Sequence, residues 1–286
     1  VFDLDRLRAA LDAARTVKRP ALIHLELETG LNRTGLQDDE LELAMELVRA
    51  NPEQLTVLGT CTHLSGAESV GNYLRIQQQI KRFRELCELF QERGVPLGRR
   101  HMACSAAVFT YPETALDMVR FGIAQYGFWP SHETQMHYFL EHGIDSPARH
   151  RDPLRRVLRW TSRVMSLKKV PPGSFIGYGT TYLTNRRQII AAVPVGYFHG
   201  FLRGLSNMGY VAVRGKRAAV VGTVNMNMML VDVTDIPGVQ KGDEVLLIGR
   251  QKSMHITVGS FSDMVRHLNY EVLVRLPAEV PRVVIK

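Results

Sequence analysis

Hydrophobic and polar positions change their period repeatedly along the first 120 residues. Apolar residues recur at helical spacing over Leu4–Val17, whereas Ala21–Leu27 alternates as a β-strand does. Such alternation between helix and strand is typical of parallel βα units. The other elements predicted here are helices over Asp39–Ala50 and Ser69–Arg93 (ended by Gly94), strands over Leu55–Thr62, His101–Ala103 and Met118–Arg120, and a helical turn over Tyr111–Leu116.

Polar or charged residues stand just after the predicted strands of this half, namely Arg33, His63, Ser105 and Arg120. In a βα barrel the carboxyl ends of the strands form the face where chemistry takes place. We therefore expect a functional site at this edge of the sheet.

The period is lost between Met136 and Pro153, where His, Gly and Pro interrupt the chain. This change predicts a domain boundary, with domains over residues 1–150 and 151–286. Beyond it, short apolar runs separated by Gly and Pro predict a mostly β domain with one short helix. The predicted strands are Trp160–Val170, Gln188–Val195, Tyr210–Val213, Arg217–Val221, Met228–Val233 and Glu244–Gly249, and the helix is Val258–Leu268.

The composition is that of an ordinary globular protein, with 45% hydrophobic and 22% charged residues among 286. No apolar run approaches the ~18 residues of a membrane helix, and the amphipathic start is unlike a signal peptide. The three cysteines have no metal-like spacing and indicate a reducing compartment, so we expect a cytoplasmic protein that does not bind membranes.

A formal net charge of +8 raises the question of nucleic-acid binding. The densest basic cluster is Arg149, Arg151, Arg155, Arg156 and Arg159, and no nucleic-acid motif accompanies it. A solvated basic surface or an anionic small substrate explains the charge more simply. We therefore expect no nucleic-acid partner.

One tyrosine stands out because glycines flank it on both sides: Gly177, Tyr178 and Gly179 precede an apolar run that ends at Gly196 and Tyr197. Flanking glycines allow the backbone to approach a ligand while the phenol projects outward. Such a tyrosine could serve as an acid or base in a site built by other parts of the molecule. The alternative is a turn tyrosine followed by an ordinary strand.

The segments LELETGLNRTG, THLSGAES, HMACSAA, VRFGIAQYG, GYGTTY, VPVGY, VVGTVNMNM and GDEVLLIGRQ occur in the order found in alanine racemases. From Phe2 to Lys286, the chain thus resembles this family of pyridoxal-phosphate (PLP) enzymes. The resemblance implies an α/β plus β fold, with the C-terminal part of a (β/α)8 PLP-binding barrel followed by a mostly β domain. It also implies a homodimer with shared active sites that interconverts L- and D-alanine, the latter for peptidoglycan.

The resemblance assigns roles to residues on both sides of the cofactor. Racemisation needs acid/base groups on two faces of the substrate, and Tyr178 matches the family's tyrosine, which reaches in from the second subunit. Since a free phenol has a pKa near ~10, cationic neighbours are needed for it to act as a base. Arg120 matches the arginine facing the pyridine nitrogen, which it would keep unprotonated, and His63 matches the histidine that braces that arginine.

The remaining roles implied by the resemblance concern the phosphate and the substrate. Ser105, Gly122 and Ile123 match the phosphate cradle, where a hydroxyl and backbone N–H groups bind a dianion. Cys104 stands beside them at the cofactor, in place of the family's usual asparagine. Arg33 matches the arginine that binds the substrate carboxylate, and Tyr197 and Met226 match residues lining the substrate pocket.

The resemblance is incomplete at the cofactor lysine, which the family carries on its first barrel strand. None of the eight lysines here follows a strand in a comparable segment, and only four strands fit before the predicted boundary. We therefore expect an alanine racemase that lacks the N-terminal half of its barrel, and expect this chain alone to be inactive.

Further departures are Gly177 for serine, His199 and Asn227 for aspartates, and Ala278 for a tyrosine. They leave open racemisation of another amino acid, a related PLP decarboxylase, or a degenerate homologue that binds PLP or a partner chain without catalysis.

Overall fold

A computed structural model describes residues 1–144, 152–265 and 269–285, and the chain divides into two compact units. Unit 1 is Val1–Arg155 and unit 2 is Arg156–Lys286. The boundary predicted between residues 150 and 151 falls in a stretch that lies outside the described residues. No helix within the described ranges is both long and apolar enough to cross a membrane.

Unit 1 is an α/β unit built on three parallel strands in the order β1-β2-β3. Its elements are α1 (Leu4–Val17), β1 (Ala21–Glu26), α2 (Asp38–Ala50), β2 (Leu55–Cys61), α3 (Tyr73–Glu92), β3 (Arg99–His101), α4 (Ser105–Thr110) and α5 (His132–Glu141). The apolar side chains of α1, α2 and α3 pack on one face of the sheet, where Leu7, Leu25 and Phe90 are fully buried.

The other face of the sheet carries polar groups among exposed leucines. Leu22 is 63% exposed and Leu58 is 43% exposed. The pairing of β1 with β2 shifts register after Ile23, so that His24 lies opposite Gly59. A Cβ at Gly59 would come within 2.5 Å of His24 Nδ1, so a glycine here makes room for the histidine ring.

Several predictions for unit 1 are confirmed and others are corrected. Helix α1 has the predicted bounds, because the Asp3 side chain caps its start and Lys18 ends it in the left-handed region. The long predicted helix begins only at Tyr73, after a 3-10 turn over Val70–Asn72. The predicted strand Met118–Arg120 is wrong, because only Arg120 forms a bridge, to Cys104.

Two helices of unit 1 occur where the pattern predicted none. Helix α4 precedes the predicted turn, and the structure places a 3-10 turn over Pro112–Thr114 instead of the predicted Tyr111–Leu116. Helix α5 occupies part of the stretch read as aperiodic; the Ser131 side chain caps its start. Its aromatic side chain Tyr138 packs against Phe109 and Trp129, so tertiary contacts support a helix whose apolar period is weak.

Unit 2 is mostly β, as predicted. Its eight-stranded sheet follows the order β11-β10-β7-β8-β9-β6-β5, with β4 also paired to β10. The strands are β4 (Trp160–Arg163), β5 (Ser166–Val170), β6 (Gln188–Val193), β7 (Tyr210–Val213), β8 (Lys216–Val220), β9 (Met229–Asp232), β10 (Glu244–Gln251) and β11 (Met254–Ile256). Two short helices follow, α6 (Gly259–Val265) and α7 (Asn269–Val274).

The predicted strand Trp160–Val170 is two strands, because the chain leaves β4 at Val164 and pairs next with β6. Strand β5 lies at one edge of the described sheet and its first four residues are exposed. Strand β11 and helix α7 were not predicted. Residues 266–268, the end of the predicted final helix, lie outside the described residues.

Candidate functional site

Arg120 is held in a pocket of carbonyl groups at the carboxyl edge of the unit 1 sheet. Its Nη2 donates to the carbonyl oxygens of Thr62 at 2.8 Å and Met102 at 3.3 Å, and Nη1 donates to that of His101 at 3.1 Å. Nη1 also lies 2.6 Å from His101 Nδ1, and Nη2 lies 3.4 Å from His63 Nδ1. These contacts fix the plane of the guanidinium group and, among the described residues, involve its Nη nitrogens and not Nε.

The histidines around Arg120 are neutral near neutral pH. Burial, the charge of Arg120 and the neighbouring His24 together lower the pKa of His101 to about 4. His101 Nδ1 therefore accepts from Arg120, while its Nε2 donates to His24 Nδ1 at 2.8 Å. Burial, followed by the charges of Arg120 and Arg33, also lowers the pKa of His63.

Arg33 lies in the loop after β1, and Glu28 organises that loop. The Glu28 carboxylate accepts from the backbone N–H groups of Gly30, Leu31 and Asn32, the last two at 2.8 and 2.9 Å. Asn32 takes a left-handed conformation with φ 57°, which turns the chain immediately before Arg33. The Arg33 side chain is exposed, and its charge acts on His63.

The predicted phosphate residues meet at the start of α4. Ser105 Oγ accepts from Gly122 N–H at 2.8 Å, so the loop after Arg120 is attached to this helix. Ser105 and Ile123 are buried, whereas Gly122 is exposed. Cys104 is half-buried and precedes the helix as its N-cap residue. A hydroxyl beside backbone N–H groups is suited to binding an anionic oxygen.

In unit 2, Tyr178 lies at the tip of a hairpin-like loop. Thr184 N–H donates to Ser174 O at 2.9 Å and Ile176 N–H donates to Tyr182 O at 2.9 Å, which closes the base of the loop. The tip turns through left-handed residues at Gly177, Gly179 and Thr180. The Tyr178 side chain is 73% exposed.

Tyr178, Tyr197 and Met226 line one cavity of about 440 Å³. The two segments carrying Tyr197 and Met226 are joined through the backbone, since Tyr197 N–H donates to Asn225 O at 3.0 Å. A Cβ at Gly196 would lie 2.1 Å from Asn225 O, so the glycine before Tyr197 is required by this close approach.

Two residues that the sequence analysis did not single out belong with these groups. His101 orients Arg120, and it stands four residues before Ser105 in the segment HMACSAA, which was recognised only as a whole. Arg203 lines the cavity of Tyr178 and brings a positive charge to it. The sequence feature that could have indicated Arg203 is a basic residue six positions after Tyr197.

The departures at His199 and Asn227 have different structural settings. His199 Nδ1 accepts from Gly196 N–H at 3.2 Å, so this ring closes its own turn. Asn227 lines the cavity that contains Tyr178. Within the described ranges no group of three or more His, Cys, Asp or Glu side chains could hold a metal ion.

Solved structures share this fold. An alanine racemase from Streptomyces lavendulae superposes with a TM-score of 0.88 at 31% identity, covering all of this chain and 72% of that one. An alanine racemase from Bartonella henselae with covalently bound pyridoxal phosphate has a TM-score of 0.76 at 24% identity, covering 97% of this chain and 70% of that one. The combination of an α/β unit and a mostly β unit is thus shared with alanine racemases of known structure.

Two protein-family models match the chain. The model of the alanine racemase N-terminal domain matches residues 1–130 and that of the C-terminal domain matches residues 157–284. The chain is 38% identical to the alanine racemase of Symbiobacterium thermophilum over 99% of its own length and 71% of that protein. It is 34% identical to that of Leptospira interrogans over 92% of its length and 66% of that protein. The chain belongs to the alanine racemase family.

Proposed function

We propose that the protein containing these 286 residues interconverts L- and D-alanine with PLP as its cofactor. The relatives it matches are named alanine racemases, which favours this activity over a degenerate, non-catalytic homologue. The chain spans only about two thirds of the Leptospira relative's length, so the activity is proposed for the protein as a whole. The cysteine usage of the sequence supports a cytoplasmic location for that protein.

The single observation that carries this proposal is the setting of Arg120. When bound, PLP would supply the electron sink that makes removal of the substrate Cα proton feasible. Arg120 has donors only and does not give up its proton, so its unused Nε would donate to a ring nitrogen that remains unprotonated. His101 and His63 are neutral and would not protonate the ring nitrogen. The Nδ1 atom of His101 accepts from the Arg120 guanidinium group, and that of His63 lies beside the same group.

The other residues present fit the remaining parts of the cofactor and substrate. Ser105 Oγ accepts from Gly122 N–H, which leaves its own hydroxyl hydrogen to donate to a phosphate group. Arg33 is exposed in a loop held by Glu28, and its guanidinium group would bind the substrate carboxylate. Tyr178 would move the proton on one face of Cα.

The lysine that would hold the cofactor is not at the strand ends of unit 1. Unit 1 contains Lys18, which ends α1, and Lys81, whose side chain is 80% exposed on α3. We propose that this lysine, together with further strands of the (β/α)8 barrel, comes from polypeptide outside Val1–Lys286. Reading the coding frame upstream of Val1 tests this part directly, because a lysine after a β-type run is expected there.

We propose further that two copies share their active sites, with Tyr178 of one subunit serving the cofactor of the other. The surface of unit 2 supports such an interface. Large apolar side chains are exposed there, with Phe175 at 57%, Phe198 at 56% and Met226 at 59%. Exposed apolar groups of this size near a functional group often mark a protein interface.

The test of the function is turnover by the protein expressed from its complete reading frame. We expect exchange of the alanine Cα proton in D2O from both enantiomers, and racemisation measured by chiral chromatography. Tyr178→Phe should abolish racemisation while leaving exchange from one enantiomer, because the second acid/base group remains. A complete protein that binds PLP and leaves both enantiomers unchanged would overturn the proposal.

The shared site has its own test by subunit mixing. Arg33→Gln and Tyr178→Phe lie in different units, and each homodimer should be inactive. If the sites are shared, mixed dimers contain one intact site, and activity should return to roughly a quarter of the wild-type value. No recovery in subunits shown to exchange would overturn the shared site but not the activity.

A further inference from the structure

Gln79 is an almost fully buried polar residue near the candidate cofactor residues. It lies on α3, is only 1% exposed, and both ends of its amide are used. Its Nε2 donates to Thr29 Oγ1 at 3.3 Å and to His63 O at 3.1 Å, and its Oε1 accepts from Ser65 N–H at 2.8 Å. One amide thereby connects the segment after β1 with the segment after β2.

Each of these two segments carries one of the proposed site residues. Thr29 begins the loop that presents Arg33, and Thr29 Oγ1 lies 2.7 Å from Thr62 Oγ1, directly before His63. The Gln79 amide contacts the carbonyl group of His63 itself. Two contacts therefore set the distance between the Arg33 loop and His63. One joins the side chains of Thr29 and Thr62, and the other runs from Thr29 through the Gln79 amide to the backbone of His63.

Helix α3 provides a rigid support for this connection. Ile76, Ile80 and Phe83 of the same helix are buried in the core of unit 1. Arg75, one turn before Gln79 on the same side of the helix, donates from Nη2 to Gly30 O at 2.7 Å. The Arg33 loop is thus attached to α3 at Gly30 and at Thr29.

We propose that Gln79 is a positioning residue, which holds the Arg33 loop against His63 and so sets the geometry of the carboxylate and cofactor contacts. The inference deepens the proposed function and rests on it for those roles. Only an amide of this length supplies a donor and an acceptor together. A leucine would leave His63 O and Ser65 N–H buried without partners.

The chain offers a matched control in Gln188 of unit 2. It is 3% exposed and donates from Nε2 to Tyr182 Oη at 2.9 Å and to Asp232 at 2.6 Å. Its Oε1 has no partner among the described residues. Gln188→Leu therefore removes a buried amide of similar size that touches none of the proposed site residues.

The experiment follows the His63 ring by NMR in the protein expressed from its complete reading frame, without added cofactor. Its pKa is lowered by burial, Arg120 and Arg33, whereas Glu26 and Glu68 act in the opposite direction. In Gln79→Leu the segment is released, and we expect the His63 pKa to rise by about half a unit or more towards its ordinary value. Hydrogen exchange of the Ser65 amide should accelerate by at least roughly tenfold.

Gln79→Glu is the second variant, because it keeps the volume and the acceptor for Ser65 N–H. It should retain protection of the Ser65 amide while losing the donation to His63 O. Because a carboxylate at this position also raises the His63 pKa by its charge, the His63 pKa is compared only between Gln79→Leu and the wild type. Gln188→Leu should change neither readout. If Gln79→Leu folds and leaves the His63 pKa and Ser65 exchange as in the wild type, or if Gln79→Glu loses Ser65 protection as fully as Gln79→Leu does, Gln79 is only a core residue and the proposal is overturned.

Turnover separates this inference from the function. In an active protein, Gln79→Leu should raise KM for alanine several-fold, since the Arg33 loop is displaced, whereas Gln188→Leu should not. An inactive protein whose His63 pKa responds as expected would overturn the racemase function and leave the positioning role intact. A protein that racemises alanine but whose His63 pKa does not change in Gln79→Leu would support the racemase function and overturn the positioning role.

Discussion

Arg120 and Tyr178 are held in opposite ways in the two units. The Arg120 guanidinium group is fixed by three backbone carbonyl groups and the neutral ring of His101. The Tyr178 side chain is 73% exposed, and its hydroxyl has no hydrogen-bond partner within the described ranges. Arg120 is thus held in place by unit 1 itself, whereas the Tyr178 side chain is largely open to solvent.

The backbone conformation also differs between the two regions, being regular around Arg120 and tightly turned around Tyr178. Around Arg120 the chain follows strand ends and the start of α4. Around Tyr178 it turns through consecutive left-handed positions, one of them the β-branched Thr180 with φ 49°. Such a conformation is costly for a β-branched residue, and it places the phenol outward. Preorganisation in one unit and exposure in the other lead to different expectations for stability.

Arg120→Met should produce the largest effect. It leaves buried carbonyl groups and His101 Nδ1 without a donor, and we expect unit 1 to lose at least about 3 kcal/mol of unfolding free energy. The measurement is urea unfolding in a Trp160→Phe background, where Trp129 reports on unit 1 alone. Arg33→Gln, an exposed arginine, is the control and should change little. Equal stability of the two variants would mean that Arg120 is not held as described.

Lowering the pH should decrease the unfolding free energy of unit 1, because His101 becomes protonated when the unit unfolds. Its folded pKa of about 4 lies below the ordinary value of 6.5, so between these values the unfolded chain binds the extra proton. The stability due to neutral His101 is present above pH 6.5 and is lost as the pH falls to 4, by up to about 3 kcal/mol. His63, whose pKa is also lowered, acts in the same sense.

This pH dependence is measured by urea unfolding at intervals from pH 7 to pH 4, again with Trp129 as the probe. His101→Gln removes the titrating group, so its slope of stability against pH should be clearly smaller over this range. An unchanged slope in that variant would contradict the neutral histidine beside Arg120.

Thr223→Val should have a smaller effect, confined to the tip of the Tyr178 loop. Thr223 Oγ1 donates to Tyr178 O at 3.1 Å and lies 3.3 Å from Thr181 Oγ1. Losing these contacts should cost about 1 kcal/mol and release the loop. Fluorotyrosine NMR should show a shifted or broadened Tyr178 signal, which Thr223→Ser restores. A wild-type signal in Thr223→Val would show that the tip is held elsewhere.

Tyr178→Phe should have the smallest effect on stability, within about 0.5 kcal/mol, as for other surface substitutions. The measurement is urea unfolding of unit 2 in a Trp129→Phe background, with Trp160 as the probe. A loss above 1 kcal/mol would mean that the hydroxyl has a structural partner, and the contrast with Arg120 would disappear.

The sequence predicted the regular elements well where one strong period covers them. Helix α1, with a clear apolar face, and strand β7, a short apolar run buried on both faces, have the predicted bounds. Strand β3 is shifted by two residues from its prediction. It has only three residues, so pairing with β2 and not the local pattern decides its ends.

The candidate site residues come from motifs that match a family and stay predictions, whereas the local partners of these residues were not predicted at all. Nothing in the pattern indicated that His101 would accept from Arg120, or that Gln79 would connect two loops 50 and 16 residues away in sequence. Such contacts depend on how strands and helices pack, which periodicity does not encode. The contact by which His199 closes its own turn is likewise not indicated by the pattern.

Strand β5 has a consequence for how the protein behaves at high concentration. It forms an edge of the unit 2 sheet in the described part of the chain, with Ser166 through Lys169 exposed. Open edges invite edge-to-edge aggregation between molecules, and lysines on such strands oppose it by charge and hydration. Lys168 and Lys169 therefore protect solubility, and replacing both with threonine should lower the concentration at which the protein precipitates.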